Sequence, residues 1–359
     1  MDYTYIKYGA LGFVIVLFLT IIIYFAVQGS ESSSVSLAID RFFAYTKVTA
    51  LAPLGDTTNT LCDYYLASSA YSLYPGDATS DYISDQIIPL VIKAGSRLIE
   101  LDIYSDLNQK PVVGLKNQAL GYDYAKNSIP LEKCCVAIGN SAFNKVDTPL
   151  TSDPFVVSFM FHTDNTVTLN AAAESVKDIL GPYLLGPDYA FHRKNLAQEP
   201  ITNLKGKIII VSGGNMKNTL FEELVNLSWS TSNLRRLTYM QASQPYDHEE
   251  LIESNKKTIC MVIPDPDPDL KNNNPTLLFG YGCQWNLMNY GSLDSMMEIN
   301  IEKFQQASLV LKPEHLRYKP IEPKTPKLPD PSTHSFQPMA HTSPIYDINP
   351  KTGDKSIVI

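Results

Sequence analysis

The most apolar part of the chain lies at its N-terminus. Residues 8–30 carry no charged side chain, and residues 10–27 are apolar apart from one threonine and one tyrosine. About 20 apolar residues in a helix, rising about 1.5 Å each, cross a hydrocarbon layer of ~30 Å. The alternative is a cleaved signal peptide, but its basic region would be Lys7 alone and no Ala-x-Ala site follows. The pattern therefore predicts that residues 1–30 are an uncleaved, single-pass membrane anchor.

The segment after the anchor is rich in serine and leaves the orientation of the anchor open. Residues 29–36 include five serines, a composition typical of flexible linkers, so residues 31–50 are predicted to be a tether. Lys7 favours a cytoplasmic N-terminus, but Arg41 and Lys47 lie only slightly further away on the other side. The sequence thus predicts a membrane location without naming the membrane or the face.

Short apolar runs then alternate with segments of helical period. Runs typical of buried strands are residues 64–69, 98–103, 156–161, 207–211, 258–263 and 283–289. Helical periodicity occurs between and after them, at residues 83–94, 169–180, 222–226, 249–254 and 295–306. Because crossover helices must cover parallel strands, this alternation predicts an α/β fold, a TIM-like barrel at residues 51–318. The pattern alone leaves a doubly wound sheet as an alternative.

The last part of the chain has a different composition. Residues 318–359 hold 8 of the 24 prolines and few large apolar side chains. Such chain favours an extended conformation and builds no core, so residues 319–359 are predicted to be an extended tail. A tail without a partner is the simpler interpretation, and an arm that docks on a protein partner is the alternative.

Composition excludes several classes of function. The 359 residues are 44% apolar with a net charge of -8, which excludes wholesale disorder and argues against a nucleic-acid partner. Five cysteines are too few for a disulfide scaffold, and an odd number leaves one unpaired. No Cys/His spacing typical of a zinc site is present.

Several segments, in order, resemble the two halves of eukaryotic phosphoinositide-specific phospholipase C. In the first half they are LCDYYLASS at 61–69, LIELD at 98–102, FVVSFMFH at 155–162, DILGPYLL at 178–185 and LKGKIII at 204–210. In the second half they are FGYGCQWNLMNYGSLDSMMEIN at 279–300 and LVLKPEHLR at 309–317. That family folds as a distorted TIM barrel, which agrees with the strand and helix pattern. The resemblance implies a first half at about 61–213 and a second half at about 225–318.

The resemblance also implies a chemistry. The family cleaves a phosphodiester with two imidazoles, whose pKa of ~6.5 allows proton transfer in both directions near neutrality. A calcium ion held by one asparagine and three carboxylates lowers the pKa of the attacking hydroxyl and neutralises the developing charge.

Matching the motifs by position leaves two of the four calcium ligands in place, Glu100 and Asp102. The two catalytic histidines and the other two calcium ligands are replaced. These positions hold Ala70 and Leu115, and Tyr71 and Met160, respectively. A divalent ion held by two carboxylates alone would bind weakly. The resemblance thus implies no resident cofactor and at most a vestigial calcium site at Glu100 and Asp102.

The positions that hold the substrate's phosphate are replaced as well. The two family lysines match Val211 and Gly213, and the arginine and tyrosine of the second half match Met261 and Ile263. The loss of the imidazoles does not depend on this alignment. Both family imidazoles lie N-terminal to the segment ending in His162, the first histidine of this chain. No catalytic and no substrate-binding residue is therefore expected to remain, and His162 is expected to be structural.

These observations predict a membrane-anchored phospholipase C-like pseudoenzyme, a scaffold that binds a lipid headgroup or a protein. One alternative is a phosphoric diester hydrolase with altered chemistry, for which Asp106, Asp164 and Lys116 are nominal candidates at the strand ends. The other is a structural membrane protein of a membrane-containing particle. The expected partners are the membrane through the N-terminal helix, a phospholipid headgroup and a protein that binds the tail, but no nucleic acid.

Overall fold

The computed structural model describes residues 3–28, 31–48, 51–76, 81–117, 121–214, 216–319, 346–349 and 351–357. The chain divides into two compact units, Met1–Tyr318 and Lys319–Ile359. The first unit contains two N-terminal helices, α1 (Tyr3–Gln28) and α2 (Glu31–Val48), followed by the barrel.

The barrel is nearly closed and has eight parallel strands. They are β1 Tyr64–Ala70, β2 Leu98–Ser105, β3 Phe155–Phe161, β4 Ile208–Ser212, β5 Leu227–Ser228, β6 Leu234–Thr238, β7 Ile259–Ile263 and β8 Trp285–Asn289. Their order is β6-β7-β8-β1-β2-β3-β4-β5. In the part of the chain that the structure describes, no ladder joins β5 to β6, so the barrel is open along one seam. The predicted α/β barrel is thus confirmed, and the doubly wound sheet is excluded.

Short antiparallel strands flank the barrel. Leu309–Leu311 pairs with the beginning of β1, and Pro111–Val113 pairs with the end of β2. Ile129–Pro130 extends the second of these pairs, and Lys116–Asn117 forms a separate ladder with Tyr122–Asp123. The segment after β2 therefore forms short strands at the carboxyl end of the barrel strands. We call this end of the barrel the mouth.

Helices cover the outside of the barrel. They are α3 Ile87–Lys93, α4 Leu131–Ser141, α5 Thr166–Leu180, α6 Tyr239–Ser243, α7 His248–Asn255, α8 Thr276–Gly280 and α9 Ser295–Lys303. Asn165, Asp247 and Asp294 cap α5, α7 and α9, because each side chain accepts backbone N–H groups of the first turn. Most of the barrel strands are buried on both faces, which explains their nearly continuous apolar sequences, and β6 is the exception.

The pleat of β2 aims its polar residues into the barrel. Successive side chains of a strand point to opposite faces, so Leu98, Glu100 and Asp102 share one face. Leu98 belongs to the hydrophobic cluster that fills the barrel. In the register with β3, Glu100 lies opposite Ser158 and Asp102 lies opposite Met160. The two carboxylates therefore occupy successive levels of the interior, with Asp102 nearer the mouth.

The segment that follows α1 is helical, which corrects the expectation of a flexible tether at residues 31–50. Four side chains at helical spacing in α2 are buried in the same cluster as the outer helices of the barrel. They are Val35, Ala38, Phe42 and Tyr45. The serines at the start of α2 disfavour a helix only weakly, and the packing of this apolar face outweighs that preference.

Helix α1 has no such packing. Residues Lys7–Tyr24 are fully outside the protein interior, and among the described residues this is the one helix long and apolar enough to cross a membrane. The second compact unit contains a hairpin of Tyr346–Ile348 and Lys355–Ile357, so this part of the predicted extended tail is folded. Residues 320–345, which hold most of the prolines, lie outside the described residues.

Candidate functional site

The mouth of the barrel encloses a cavity of about 210 Å³. Most positions at which the resemblance places family functional residues meet there. They are Ala70, Tyr71, Glu100, Asp102, Leu115, Met160 and Ile263. The carboxyl ends of β1, β2, β3 and β7 supply most of these side chains, as expected for a barrel whose site lies at this end. Of the nominal alternative candidates, Lys116 lines this cavity, whereas Asp106 lines a neighbouring one.

Three of the family positions do not reach the cavity. Val211 and Met261 are fully buried in the cluster that fills the barrel. At Gly213 the space of a side chain is already filled, because an added Cβ would overlap the indole ring of Trp229. Trp229 therefore fills the space that a side chain at residue 213 would need.

Glu100 is held by two protein groups. Nη2 of Arg236, on β6, donates to Oε1 at 2.9 Å, and Oγ of Ser158 donates to Oε2 at 3.0 Å. The side chain of Glu100 is 9% exposed and that of Arg236 is 15% exposed. A charge-assisted pair at this depth compensates the cost of burying the carboxylate. Both oxygens of Glu100 are thus engaged within the protein.

Arg236, which lines the cavity, and Trp229, which packs against it, are not among the residues that the sequence singled out. The guanidinium carbon of Arg236 lies 5.0 Å from the centre of the Trp229 ring, in cation–π geometry. The neighbouring Arg235 points outward and pairs with Glu250. The sequence does contain a signal for Arg236. Side chains alternate between the two faces of a strand, so one of two adjacent arginines in a barrel strand points into the barrel.

Asp102 is paired with His162. Nε2 of His162 lies 2.7 Å from Oδ1 of Asp102, and its ring stacks on Tyr104 with centroids 4.6 Å apart. With a neutral imidazole, this contact places the proton on Nε2 and leaves Nδ1 as an acceptor. In the described part of the chain Nδ1 has no hydrogen-bond partner. The histidine expected to be structural thus contacts a carboxylate of the candidate site.

Tyr71 stands where the resemblance places the calcium-binding asparagine of the family. Its φ of 51° lies in the left-handed region, which a tyrosine adopts only when its surroundings hold it there. Its ring centroid is 6.4 Å from that of Tyr124. Desolvation raises the pKa of Tyr71, and nearby Tyr124, Asp102 and Glu100 raise it further. Tyr71 therefore offers a neutral phenol rather than an anionic ligand.

These residues do not fit a calcium ion. The two kept carboxylates have protein partners, and Tyr71 and Met160 offer a phenol and a thioether, which are poor ligands for a hard cation. Among the residues that the structure describes, no three His, Cys, Asp or Glu side chains lie close enough to hold a metal.

Comparison with known proteins agrees with the fold. Residues 57–213 match the family model of the phosphatidylinositol-specific phospholipase C X domain. Over 158 residues the chain is 30% identical to phosphoinositide phospholipase C 7 of Arabidopsis thaliana, covering 42% of this chain and 25% of that protein. Crystal structures of PLC21 from S. officinalis and L. pealei align with a TM-score of 0.63, at 22% and 20% identity. Those alignments cover 74% of this chain and 39% of each of those chains.

The protein therefore carries an α/β barrel of the phosphoinositide phospholipase C type. Its residues 57–213 are the part that matches the X-domain model. The chain spans well under half the length of the relatives that it matches. The family resemblance predicted from the sequence is thus confirmed for the barrel, and the assignment of replaced catalytic positions stays a prediction.

Proposed function

We propose that this protein is a membrane-anchored pseudoenzyme whose phospholipase C-type barrel binds a phospholipid headgroup without hydrolysing it. The observation that carries the proposal is the pairing of both kept carboxylates with protein side chains, Glu100 with Arg236 and Asp102 with His162. A divalent ion would have to displace a guanidinium from a carboxylate that is 9% exposed, at the cost of a buried pair.

The cavity retains groups suited to a phosphate-bearing ligand. Lys116 lines it with a side chain that is 47% exposed and lies 3.6 Å from Asp123. An exposed pair of this kind contributes little stability, so Lys116 is available to an anionic ligand. Tyr71 and Tyr124 provide apolar ring faces on the same cavity. This combination of an available cation with aromatic walls is typical of small-ligand sites.

Helix α1 supports the membrane part of the proposal. Its apolar side chains over residues 7–24 are exposed, which distinguishes it from the core helix of a soluble protein. A stretch of this length crosses a bilayer as a single span.

The test uses the full chain reconstituted in liposomes that contain phosphatidylinositol and its bisphosphate. We expect no release of inositol phosphate during a calcium titration. Calorimetric titration with glycerophosphoinositol should give binding that Lys116→Ala weakens about tenfold, or ~1.4 kcal/mol. Lys110→Ala is the matched control, since Lys110 is an exposed lysine after the same strand. Calcium-stimulated release would overturn the pseudoenzyme, and equal effects of the two variants would overturn the headgroup site.

One observation favours a second function, a phosphoric diester hydrolase with altered chemistry. The imidazole of His162 is oriented by Asp102 at 2.7 Å, an arrangement that also serves a general base. Hydrolysis of glycerophosphoinositol in the presence of a metal chelator would support it if His162→Gln abolished the activity. His192→Gln is the control, because His192 is exposed.

A further inference from the structure

Helix α2 belongs to the outer layer of the barrel. Its buried side chains, from Val35 to Tyr45, share one hydrophobic cluster with residues of α3 and α4. The ring of Tyr45 stacks on that of Tyr290 with centroids 5.6 Å apart. At about 1.5 Å per residue, the 18 residues of α2 extend ~27 Å, and the stretch with packed side chains, Val35 to Tyr45, accounts for ~15 Å of this. Apolar packing over this length fixes the helix against the barrel.

Polar contacts fix the height of α2 along the barrel. Nη1 of Arg41 donates to the backbone oxygens of Pro75 at 2.8 Å and Gly291 at 2.7 Å. The hydroxyl of Tyr45 donates to the backbone oxygen of Tyr290 at 2.7 Å. All three acceptors lie in the segments that leave β1 and β8 at the mouth. Hydrogen bonds to backbone acceptors are directional, so they oppose sliding of the helix.

The direction of α2 follows from contacts near its two ends. Oγ of Ser34, in its first turn, donates to Oδ1 of Asp81 at 2.5 Å, in the mouth-side segment between β1 and α3. Just past its C-terminus, the backbone N–H of Ala52 donates to the oxygen of Gln306 at 2.8 Å. Gln306 follows α9, at the end of the barrel opposite the mouth. Helix α2 therefore begins on the mouth side of the barrel and stays in contact with it as far as Tyr45, and the chain that follows the helix reaches the opposite end.

The start of α2 is close in sequence to the end of α1. Gln28 and Glu31 are three residues apart, so their Cα atoms are separated by at most about 11 Å. We propose that α2 is an orienting strut that holds the mouth of the barrel against the lipid surface in which α1 is embedded. The ligand then enters from the same bilayer. This inference rests on the proposed membrane anchoring.

The test compares two labelled positions in the full chain. Leu107 follows β2 at the mouth, and Val146 lies in the turn before β3 at the opposite end; both are at least 80% exposed. The five native cysteines are buried, so Leu107→Cys and Val146→Cys can be labelled selectively. In phosphatidylcholine liposomes with nitroxide on the headgroups, we expect at least fivefold stronger quenching of the fluorophore at 107.

A decoupled variant tests the role of α2 itself. A flexible Gly/Ser insertion between Gln28 and Glu31 should bring the quenching at 107 close to that at 146, and Arg41→Ala should do so in part. Asp40→Ala is the control, because Asp40 is exposed on the same helix. Equal quenching at both positions in a chain that floats with liposomes would overturn the strut alone. A chain that does not float would overturn the anchoring and the strut together.

Discussion

Arg236 and Glu100 join opposite parts of the barrel at its mouth, with Nη2 and Oε1 2.9 Å apart. Glu100 lies on β2 and Arg236 on β6, strands that share no ladder. Each side chain is mostly buried, and Ser158 occupies the second oxygen of Glu100. The pair thus places a permanent cation of the protein beside a carboxylate that the family resemblance assigns to calcium.

Removal of this cation should cost stability. Arg236→Ala leaves Glu100 buried without its partner, and we expect the free energy of unfolding to fall by about 3 kcal/mol. Arg235→Ala removes the neighbouring pair with Glu250, whose side chains are 38% and 54% exposed, and should cost at most ~1 kcal/mol. Chemical denaturation of the two variants measures the difference. Equal losses would contradict the structural importance of the Glu100 pair.

Calcium binding should require the absence of Arg236. Tyr71→Asn and Met160→Glu introduce the ligand types that the family resemblance assigns to these positions, and asparagine tolerates the left-handed backbone at residue 71. We expect the double variant to bind calcium no better than the unmodified protein, because Arg236 still neutralises Glu100. Adding Arg236→Ala should produce a measurable calorimetric signal with calcium. Binding by the double variant alone would show that Arg236 does not block the ion.

The contact between Gly213 and Trp229 should make residue 213 intolerant of any side chain. Gly213→Ala is expected to cost about 1–3 kcal/mol, since the methyl group overlaps the indole. In a Trp229→Ala background, the same substitution should cost less than ~0.5 kcal/mol. Gly186→Ala is the control, because no atom lies within 4 Å of a Cβ there. A cost that persists without Trp229 would contradict this explanation.

The stability of the protein should depend on alkaline pH through Lys312. Lys312 is 1% exposed, its Nζ donates to the backbone oxygen of Asn255, and burial lowers its pKa to about 8. Above that pH the folded protein loses a proton that the unfolded chain keeps until its ordinary pKa of 10.5. Stability relative to Lys312→Met should therefore rise by up to ~3 kcal/mol across this window and stay constant below it.

Urea unfolding at several pH values measures this difference. Lys177→Met is the control, because Lys177 is exposed on α5, and its difference from the unmodified protein should not change with pH. A stability difference for Lys312→Met that falls as pH rises would contradict the direction of the pKa shift.

The sequence predicted the framework of the barrel because its main strands are apolar runs with helical segments between them. Strand β1 was expected at 64–69 and spans Tyr64–Ala70, for example. Strands β5 and β6 were missed. Strand β5 has only two residues, too few to form a pattern. Strand β6 has the sequence LRRLT, in which two arginines, one of them Arg236, interrupt the apolar pattern. A strand that the sequence pattern does not predict therefore carries Arg236, the partner of Glu100.

The pairings of the site were beyond sequence reasoning for a geometric reason. Glu100 and Arg236 are 136 residues apart, and Asp102 and His162 are 60 apart. Which side chains meet depends on the register of the strands around the barrel, and a shift of one residue would turn them away. Helix α2 was not predicted because its serine-rich start is typical of a linker. The helical spacing of its apolar residues is informative only together with their packing partners, which lie on distant elements.

The seam between β5 and β6 bears on how the chain can be divided. Residues 229–233 connect these two strands, and a backbone cut there leaves every described ladder of the barrel intact. The resulting fragments would associate through the ladder between β8 and β1. The ion pair between Glu100 and Arg236 would connect them across the mouth. We therefore expect fragments that are expressed separately on either side of this connection to reassociate into one folded particle.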